Sequence, residues 1–413
     1  MIWHPFNQYS LNAEFPLIKF GKGVYLYDEQ NRPIIDAISS WWVNLHGHAN
    51  PFIAEAIYKQ ALQLEQVIFA NFTHEPAETL AKNLLPLLPG KMDYLFFSDN
   101  GSTSTEVAIK IAVQYFHNQG IRKNIILAFE NAYHGDTFGA MSVSGRNIFN
   151  LPFIDMLFEV IFLPTPNMEN IDDILERCQQ ICKTRQVAAL IVEPLVQAAG
   201  GMIFYEARFL DEILSLIKKN DVIFIADEVM TGFGRTGTLF SCDQLNQKPD
   251  IICLSKGITG GFLPLGVTAC KSYIFDAFCS SEFHKTFFHG HSYTANPLAC
   301  AAANASLKLT LQPETKSSWQ LIENQHMEFS NMVKNHPKLK NVRYLGTIWA
   351  AEIEQPKSSY ENPMSYLWAK KAIEKGVLLR PLGNTLYILP PYCISTNELH
   401  QVYDVILQIL EEV

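Results

Sequence analysis

The stretch "SKGITGGFLPLG" puts Lys256 just after the apolar run Ile251–Leu254 and just before a glycine-rich turn. A lysine delivered by a buried strand is costly to desolvate unless it meets a partner or its stem carries the ammonium back to water. Two other groups also stand at the ends of apolar runs. Asp227 closes "VIFIAD", where a carboxylate needs a cation or several donors, in a reactive site or in a structural salt bridge. In "SDNGSTSTE", Gly101, Ser102 and Thr103 follow the run "YLFFS" and open a long helical pattern. Their amides and hydroxyls suit a phosphate at a helix N-terminus. The same residues could instead form an ordinary cap, with Ser102 or Thr103 capping and Glu106 nearby.

An amine, an anion and a phosphate cradle form the set that pyridoxal 5′-phosphate requires: a lysine to attach its aldehyde, an acid to keep its ring nitrogen protonated, and an anchor for its phosphate. Tyr133 and His134, in "ENAYHGDT", are candidates to stack on such a ring; for Tyr133 the alternative is plain packing. Competing motifs are weaker. "GFGRTG" belongs to a formal dinucleotide fingerprint, Gly232-x-Gly234-x-x-Gly237, but it lies several residues after its strand and opens no clear helix. No GxxxxGK[ST] or GxSxG occurs. His284, His289 and His291 have no clustered acidic or cysteine partner, so no metal is expected and hydrogen-bonding loop histidines are the better reading.

The elements that must position these groups can be read from periodicity. From about residue 94 to 270, apolar runs ("YLFFS", "NIILAFE", "EVIFLP", "VAALIVEP", "DVIFIADEV", "DIICLSKG") alternate with helical patterns. One of these is "ARFLDEILSLIKKN", with apolar Phe209, Leu210, Ile213, Leu214 and Ile217 on one face. This rhythm predicts an α/β protein whose large, doubly wound, mostly parallel sheet is covered on both faces, with ligands at the carboxyl ends of its strands. After residue 300, helices near 297–310, 319–336, 364–375 and 396–412 alternate with sparse strands in "NVRYLGTIWAAEI" and "GNTLYILPP". The expected division is a large domain over 51–300 and a smaller α+β domain over 301–413, joined by the amino-terminal segment 1–50.

Composition narrows the partners. The 413 residues carry a net charge of -9 and no basic block, which argues against nucleic acid and anionic membranes. The eight cysteines are scattered, as expected of reduced thiols in a cytoplasmic protein. "MIWHPFNQYS" has neither the basic nor the apolar region of a secretory signal, and the longest apolar stretch is broken by Glu193 and Pro194.

At "IADEVMTGFGRTG" and "PDIICLSKGITGG" the sequence resembles the class III, fold-type I aminotransferases over essentially its whole length. The segments "WHPF", "SSWWVNLHGH", "FTHEPA", "YHGDTFGAMSV", "EPLVQAAGGM", "HGHSYTANPLACAAANASL" and "RPLGNTLYILPPY" resemble the branch that makes 7,8-diaminononanoate from 8-amino-7-oxononanoate in biotin biosynthesis. The resemblance implies that Lys256 attaches the cofactor and moves the substrate proton, and that Asp227 pairs with the ring nitrogen. It also implies that Gly101 and Ser102 hold the phosphate, with Tyr133 against the ring and at the substrate. Gly290 would touch substrate, while His291 and Ser292 would reach the phosphate of a neighbouring subunit, making a homodimer with shared sites. His291 departs from the proline common there. A substrate with a distal carboxylate on a long alkyl chain wants a remote arginine and an aromatic wall. Arg380 fits the first and Trp41, with Trp42, the second; a surface charge and core packing are the alternatives. Arg235 could serve the amino donor or the loop's structure. Phe6 stands where many relatives have tyrosine, which leaves the donor open between S-adenosylmethionine and lysine. The rival readings are another ω-aminotransferase, acting on ornithine, acetylornithine or 4-aminobutyrate, and a non-catalytic cofactor-binding regulator.

Overall fold

A computed structural model describes residues 2–10, 16–354 and 364–412. They form two compact units, Pro51–Gln312 and the pair of segments Met1–Asn50 and Pro313–Val413.

The larger unit is built on a seven-stranded sheet. Its order is Tyr94–Ser98, Gly266–Cys270, Ile251–Leu254, Ile223–Asp227, Val187–Val192, Ile125–Phe129 and Val160–Leu163. Only Gly266–Cys270 runs antiparallel to its neighbours. Strands covered on both faces must be apolar along their whole length, and all six residues of Val187–Val192 are buried. Gly266–Cys270 is the strand the sequence pattern does not reveal, because "GVTAC" is short and made of small residues with no period. Helix Gly101–Asn118 packs its apolar face on the sheet through Val107, Ala108, Ile111 and Ala112.

The boundary expected at residue 300 moves to 312. It would cut helix Pro297–Thr310, which packs against helices Pro51–Ala61 and Glu75–Leu84 and against the Lys256–Thr259 turn. This alanine-rich helix begins sharply: the Asn296 side chain accepts from the amides of Leu298 and Ala299, both at 3.1 Å, and Pro297 occupies the first helical position.

In the smaller unit, strand Val377–Leu378 pairs parallel with Pro33–Asp36, tying the chain's two ends into one four-stranded sheet. A second sheet contains Leu339–Leu345, Ile348–Ile353 and Thr385–Ile388. The first two were legible only as a single run. Gly346, at φ 55°, turns the chain between them, a left-handed conformation that favours glycine. Helices Pro313–Val333, Met364–Glu374 and Thr396–Glu411 pack in the same unit.

Candidate active site

In the larger unit, the chemistry gathers at the carboxyl edge of the sheet. Asp227 ends strand Ile223–Asp227, and Lys256 follows strand Ile251–Leu254 by one residue. Tyr133 and His134 follow Ile125–Phe129, Glu193 follows Val187–Val192, and Asn100–Gly101 follow Tyr94–Ser98. The strands that carry these groups all run in one direction, Tyr94–Ser98 across the antiparallel Gly266–Cys270, so the ends share one edge, as expected for an open α/β sheet.

Lys256 adopts a positive φ of 48° in its turn. Burial lowers the pKa of its amine, the Asp227 and Glu193 carboxylates pull it back up, and the Arg235 guanidinium lowers it. Asp227 is buried and its two oxygens have separate tasks. Oδ2 is 2.7 Å from His134 Nδ1, and Oδ1 accepts from the Val229 amide at 3.0 Å. His134 Nε2 is buried with no hydrogen-bond partner among the described residues. A lone pair left unpaired costs less than an unpaired N–H, so the proton belongs on Nδ1, donated to Asp227. His134 therefore braces Asp227 through a hydrogen bond.

Glu193 is the acid that the sequence reading missed; there it counted only as a break in an apolar run. It is buried and accepts from the amides of Tyr133 at 3.0 Å and Ala198 at 3.1 Å. Burial pushes its pKa up to about 7, with Asp227 adding to the rise and His134 opposing it. Glu228, next to Asp227, serves a different task. It accepts from Thr231 Oγ1 at 2.6 Å and from the amides of Ser241 at 3.0 Å and Cys242 at 2.7 Å, fixing the loop that carries Arg235. Arg235 is itself almost fully buried.

Helix Gly101–Asn118 is capped by Asn100, not by Ser102 or Thr103. The Asn100 side chain accepts from the Thr103 amide at 3.0 Å, and Thr103 Oγ1 accepts from the Asn100 amide at 3.0 Å. That box occupies Thr103. The first-turn amides of Gly101 and Ser102 have no acceptor within the helix, as at any helix start. The cradle is tight. A Cβ on Gly101 would lie 2.7 Å from Val229 Cγ1, and one on Gly135 would lie 2.1 Å from Ser102 Oγ. Ser102 Oγ accepts from the Asp136 amide at 3.1 Å, and Tyr133 OH donates to Asp136 Oδ2 at 2.9 Å. Asp136, which the sequence pattern does not single out, thus links Ser102 to Tyr133.

The segment Gly290–Ser292 lies in the same unit. His291 Nε2 is 3.5 Å from Asp99 Oδ1, and its Nδ1 accepts from the Tyr293 amide at 3.2 Å. Ser292 is exposed, and its carbonyl accepts from Gln66 Nε2 at 2.6 Å. Among the described residues beyond its chain neighbours, only Thr294 Oγ1, at 3.7 Å, would lie within 4 Å of a Cβ on Gly290.

Phe6, Trp41 and Arg380 cluster in the smaller unit. The Arg380 guanidinium lies 4.0 Å from the Trp41 ring centroid and 5.8 Å from that of Phe6, and the two rings meet edge-on at 5.3 Å. Trp41 and Trp42 part company. Trp41 is partly exposed, whereas Trp42 is buried and donates from Nε1 to Tyr387 OH at 3.1 Å.

The donor set suits a phosphorylated, protonated pyridine. A braced buried carboxylate stands beside an amine whose pKa is lowered, and a glycine-lined helix N-terminus supplies amides for an anion. No cluster of metal-ligating residues occurs among the described residues. The model for class-III aminotransferases matches residues 9–410. A curated adenosylmethionine-8-amino-7-oxononanoate aminotransferase from Synechococcus elongatus is 49% identical over 100% of this chain and 99% of its own. One of the same name from Helicobacter pylori is 38% identical over 100% and 96%. Among solved structures, the Methanocaldococcus jannaschii enzyme of that name has TM-score 0.94 and 33% identity, covering 100% of this chain and 97% of its own. An amine transaminase from a Pseudomonas species, solved with pyridoxal phosphate bound, has TM-score 0.92 and 28% identity over 100% and 98%. These likenesses and the donor set agree on pyridoxal 5′-phosphate as the cofactor and on fold type I. The chain belongs to the class-III aminotransferases.

Proposed function

We propose that this aminotransferase converts 8-amino-7-oxononanoate to 7,8-diaminononanoate in biotin biosynthesis, with S-adenosylmethionine as amino donor. The names of its full-length relatives support the substrate. The structural observation that carries it is the Arg380 guanidinium laid on Trp41, a cation beside an aromatic wall, as an ω-carboxylate on an alkyl chain requires.

When bound, pyridoxal 5′-phosphate supplies an aldehyde that takes up the amino group and a pyridinium ring that withdraws electrons from the reacting carbon. The chain's own residues do the rest. Asp227, oriented by His134 and the Val229 amide, would hold the ring N–H. Gly101 and Ser102 would donate to the phosphate, and Tyr133 would cover the ring and meet substrate. Lys256 would attach the cofactor and, as a free amine, would take the proton from the donor's α-carbon at Nζ. Its lowered pKa keeps more of that amine neutral and able to accept. In the second half-reaction Lys256 would return the proton to the ketone carbon, whose oxygen leaves as water as the amino group takes its place. Arg380 would hold the distal carboxylate, and Trp41 and Phe6 would line the chain.

The enzyme works as a homodimer with shared sites, Gly290 meeting substrate and His291 and Ser292 reaching the partner's phosphate. The exposed apolar side chains of Ile68, Phe72, Leu151, Met156, Phe288 and Tyr293 support a large partner surface on this unit. A cytoplasmic location is supported by eight cysteines that are all unpaired. No described helix is long and apolar enough to cross a membrane.

The test loads the protein with cofactor, adds S-adenosylmethionine or lysine, and follows the cofactor absorbance before the ketone is added. S-adenosylmethionine should convert the cofactor to its amine form, and the ketone should then yield diaminononanoate by mass spectrometry. Conversion by lysine alone would assign the donor to lysine and give Phe6 a role in that choice. No product from either donor would overturn the reading.

A further inference from the structure

A buried polar network in the smaller unit takes no part in the mechanism above. Asp36, at the end of strand Pro33–Asp36, is fully buried. Its Oδ1 accepts from the Ile38 amide at 3.2 Å. Its Oδ2 accepts from the Ser40 amide at 2.6 Å, from Ser40 Oγ at 3.1 Å and from His48 Nε2 at 2.9 Å. Asn44 Nδ2, which can only donate, faces His48 Nδ1 at 3.1 Å, so His48 carries its proton on Nε2, toward Asp36. The backbone also holds His48 in place, exchanging hydrogen bonds with Gly23 at 2.7 and 3.2 Å. Gly21 lets the first strand pass flush against it, since a Cβ there would lie 2.6 Å from His48 Cβ.

Between Asp36 and His48 runs a turn that no local preference explains. Ser39, Ser40 and Trp42 all have left-handed φ values, of 53°, 62° and 67°. None is glycine, and such conformations persist only where the surroundings over-determine them. The turn splits the two tryptophans, anchoring Trp42 on Tyr387 and leaving Trp41 beneath Arg380. Ser39 Oγ donates to the Leu389 carbonyl at 2.7 Å, and Asp36 satisfies the amide and hydroxyl of Ser40 next to it.

We infer that Asp36 and His48 are positioning residues for keto-substrate recognition: the pair locks the Ser39–Trp42 turn and so presents Trp41 to the Arg380 guanidinium. His48 keeps the Asp36 carboxylate aimed at Ser40, and Asp36 accepts from the amide and hydroxyl of a half-buried, left-handed Ser40, holding it in that conformation. The inference rests on the reading that Trp41 and Arg380 receive the ketone.

The test compares Asp36→Asn, His48→Ala and His48→Gln in the full-length, cofactor-loaded protein. Glutamine can offer an amide N–H close to where His48 Nε2 offers its own. Two readouts are taken: amide hydrogen exchange of the segment holding Ser40, and kcat and KM of the second half-reaction. Asp36→Asn and His48→Ala should speed Ser40 exchange and raise the ketone KM, each by about 10-fold, with kcat changed less than about 3-fold, in line with losing one charged hydrogen bond. His48→Gln should recover most of both losses. The cofactor absorbance should stay that of the wild type. Unchanged exchange, a fall in kcat with KM unmoved, or His48→Gln as impaired as His48→Ala would each overturn the inference. If Asp36→Asn does not fold, the two His48 variants decide. Arg380→Ala, run beside them, keeps the readings apart: a normal ketone KM there refutes the role of Arg380, while Ser40 exchange still tests the lock.

Discussion

In the proposed mechanism Lys256 carries the attachment and proton-transfer roles together, so its removal is predicted to stop the reaction without unfolding the chain. Lys256→Ala should cost at least roughly 10²–10⁴-fold in turnover, the worth of one positioned proton-transfer group. Turnover and thermal melting check this, and near-normal turnover in a folded variant would contradict it. Arg380→Ala should lower kcat/KM of the second half-reaction about 10- to 200-fold, because a charged hydrogen bond is worth about 1.5–3 kcal/mol. Arg380→Lys should recover only part, since an ammonium lacks the planar fork. Single-turnover rates with the ketone measure both. At this scale the sequence was informative where a charged residue ended an apolar run, as at Asp227 and Lys256. It was silent on the tasks of Glu193 and Asp136 and on the bond from His134 to Asp227. Their tasks depend on partners 60, 34 and 93 residues away, distances that only strand pairing closes.

Two glycines allow the elements around the proposed phosphate cradle to be separated. Gly135 has φ 131° and no room for a Cβ beside Ser102, whereas Gly120, with φ 73° just past helix Gly101–Asn118, has open space. Gly135→Ala should therefore loosen cofactor binding by at least about 10-fold and destabilise the protein by about 1–3 kcal/mol, through backbone strain and overpacking. Gly120→Ala should show only the strain, with cofactor affinity intact. Cofactor titration and urea unfolding of the two variants check this, and equal affinities would contradict it. The parallel strands were legible because burial on both faces forces continuous apolar runs. Strand Gly266–Cys270 and the Gly346 turn were not, because the first lacks bulk and the second is a tight Gly346–Thr347 turn with no cluster of turn residues to mark it. Helix Pro313–Val333 begins six residues before its expected start at 319. Its first turn, "PETKSS", is polar, and only the proline at its head marks the beginning.

For the whole molecule, the account requires two chains to complete each site. Mixing Lys256→Ala chains with Ser292→Ala chains should give heterodimers in which one site regains both an intact lysine and an intact phosphate clamp. Activity should then exceed that of either parent, and activity no higher than the parents' would contradict shared sites. The division of the chain was legible in outline, from the change of rhythm after residue 300. Its second boundary lay 12 residues further on, because the alanine-rich helix Pro297–Thr310 offers no composition break and belongs by packing to the larger unit. The central claim concerns which ketone the enzyme aminates. It is tested most directly by preparing the amine form of the loaded protein and measuring its single-turnover discharge by each candidate acceptor. These are 8-amino-7-oxononanoate and the carbonyl partners of ornithine, acetylornithine and 4-aminobutyrate. The account predicts discharge by 8-amino-7-oxononanoate about 10- to 200-fold more efficiently than by the others, the discrimination available to a site with one dedicated charged contact placed for this chain length. Faster discharge by any of the other three would contradict it.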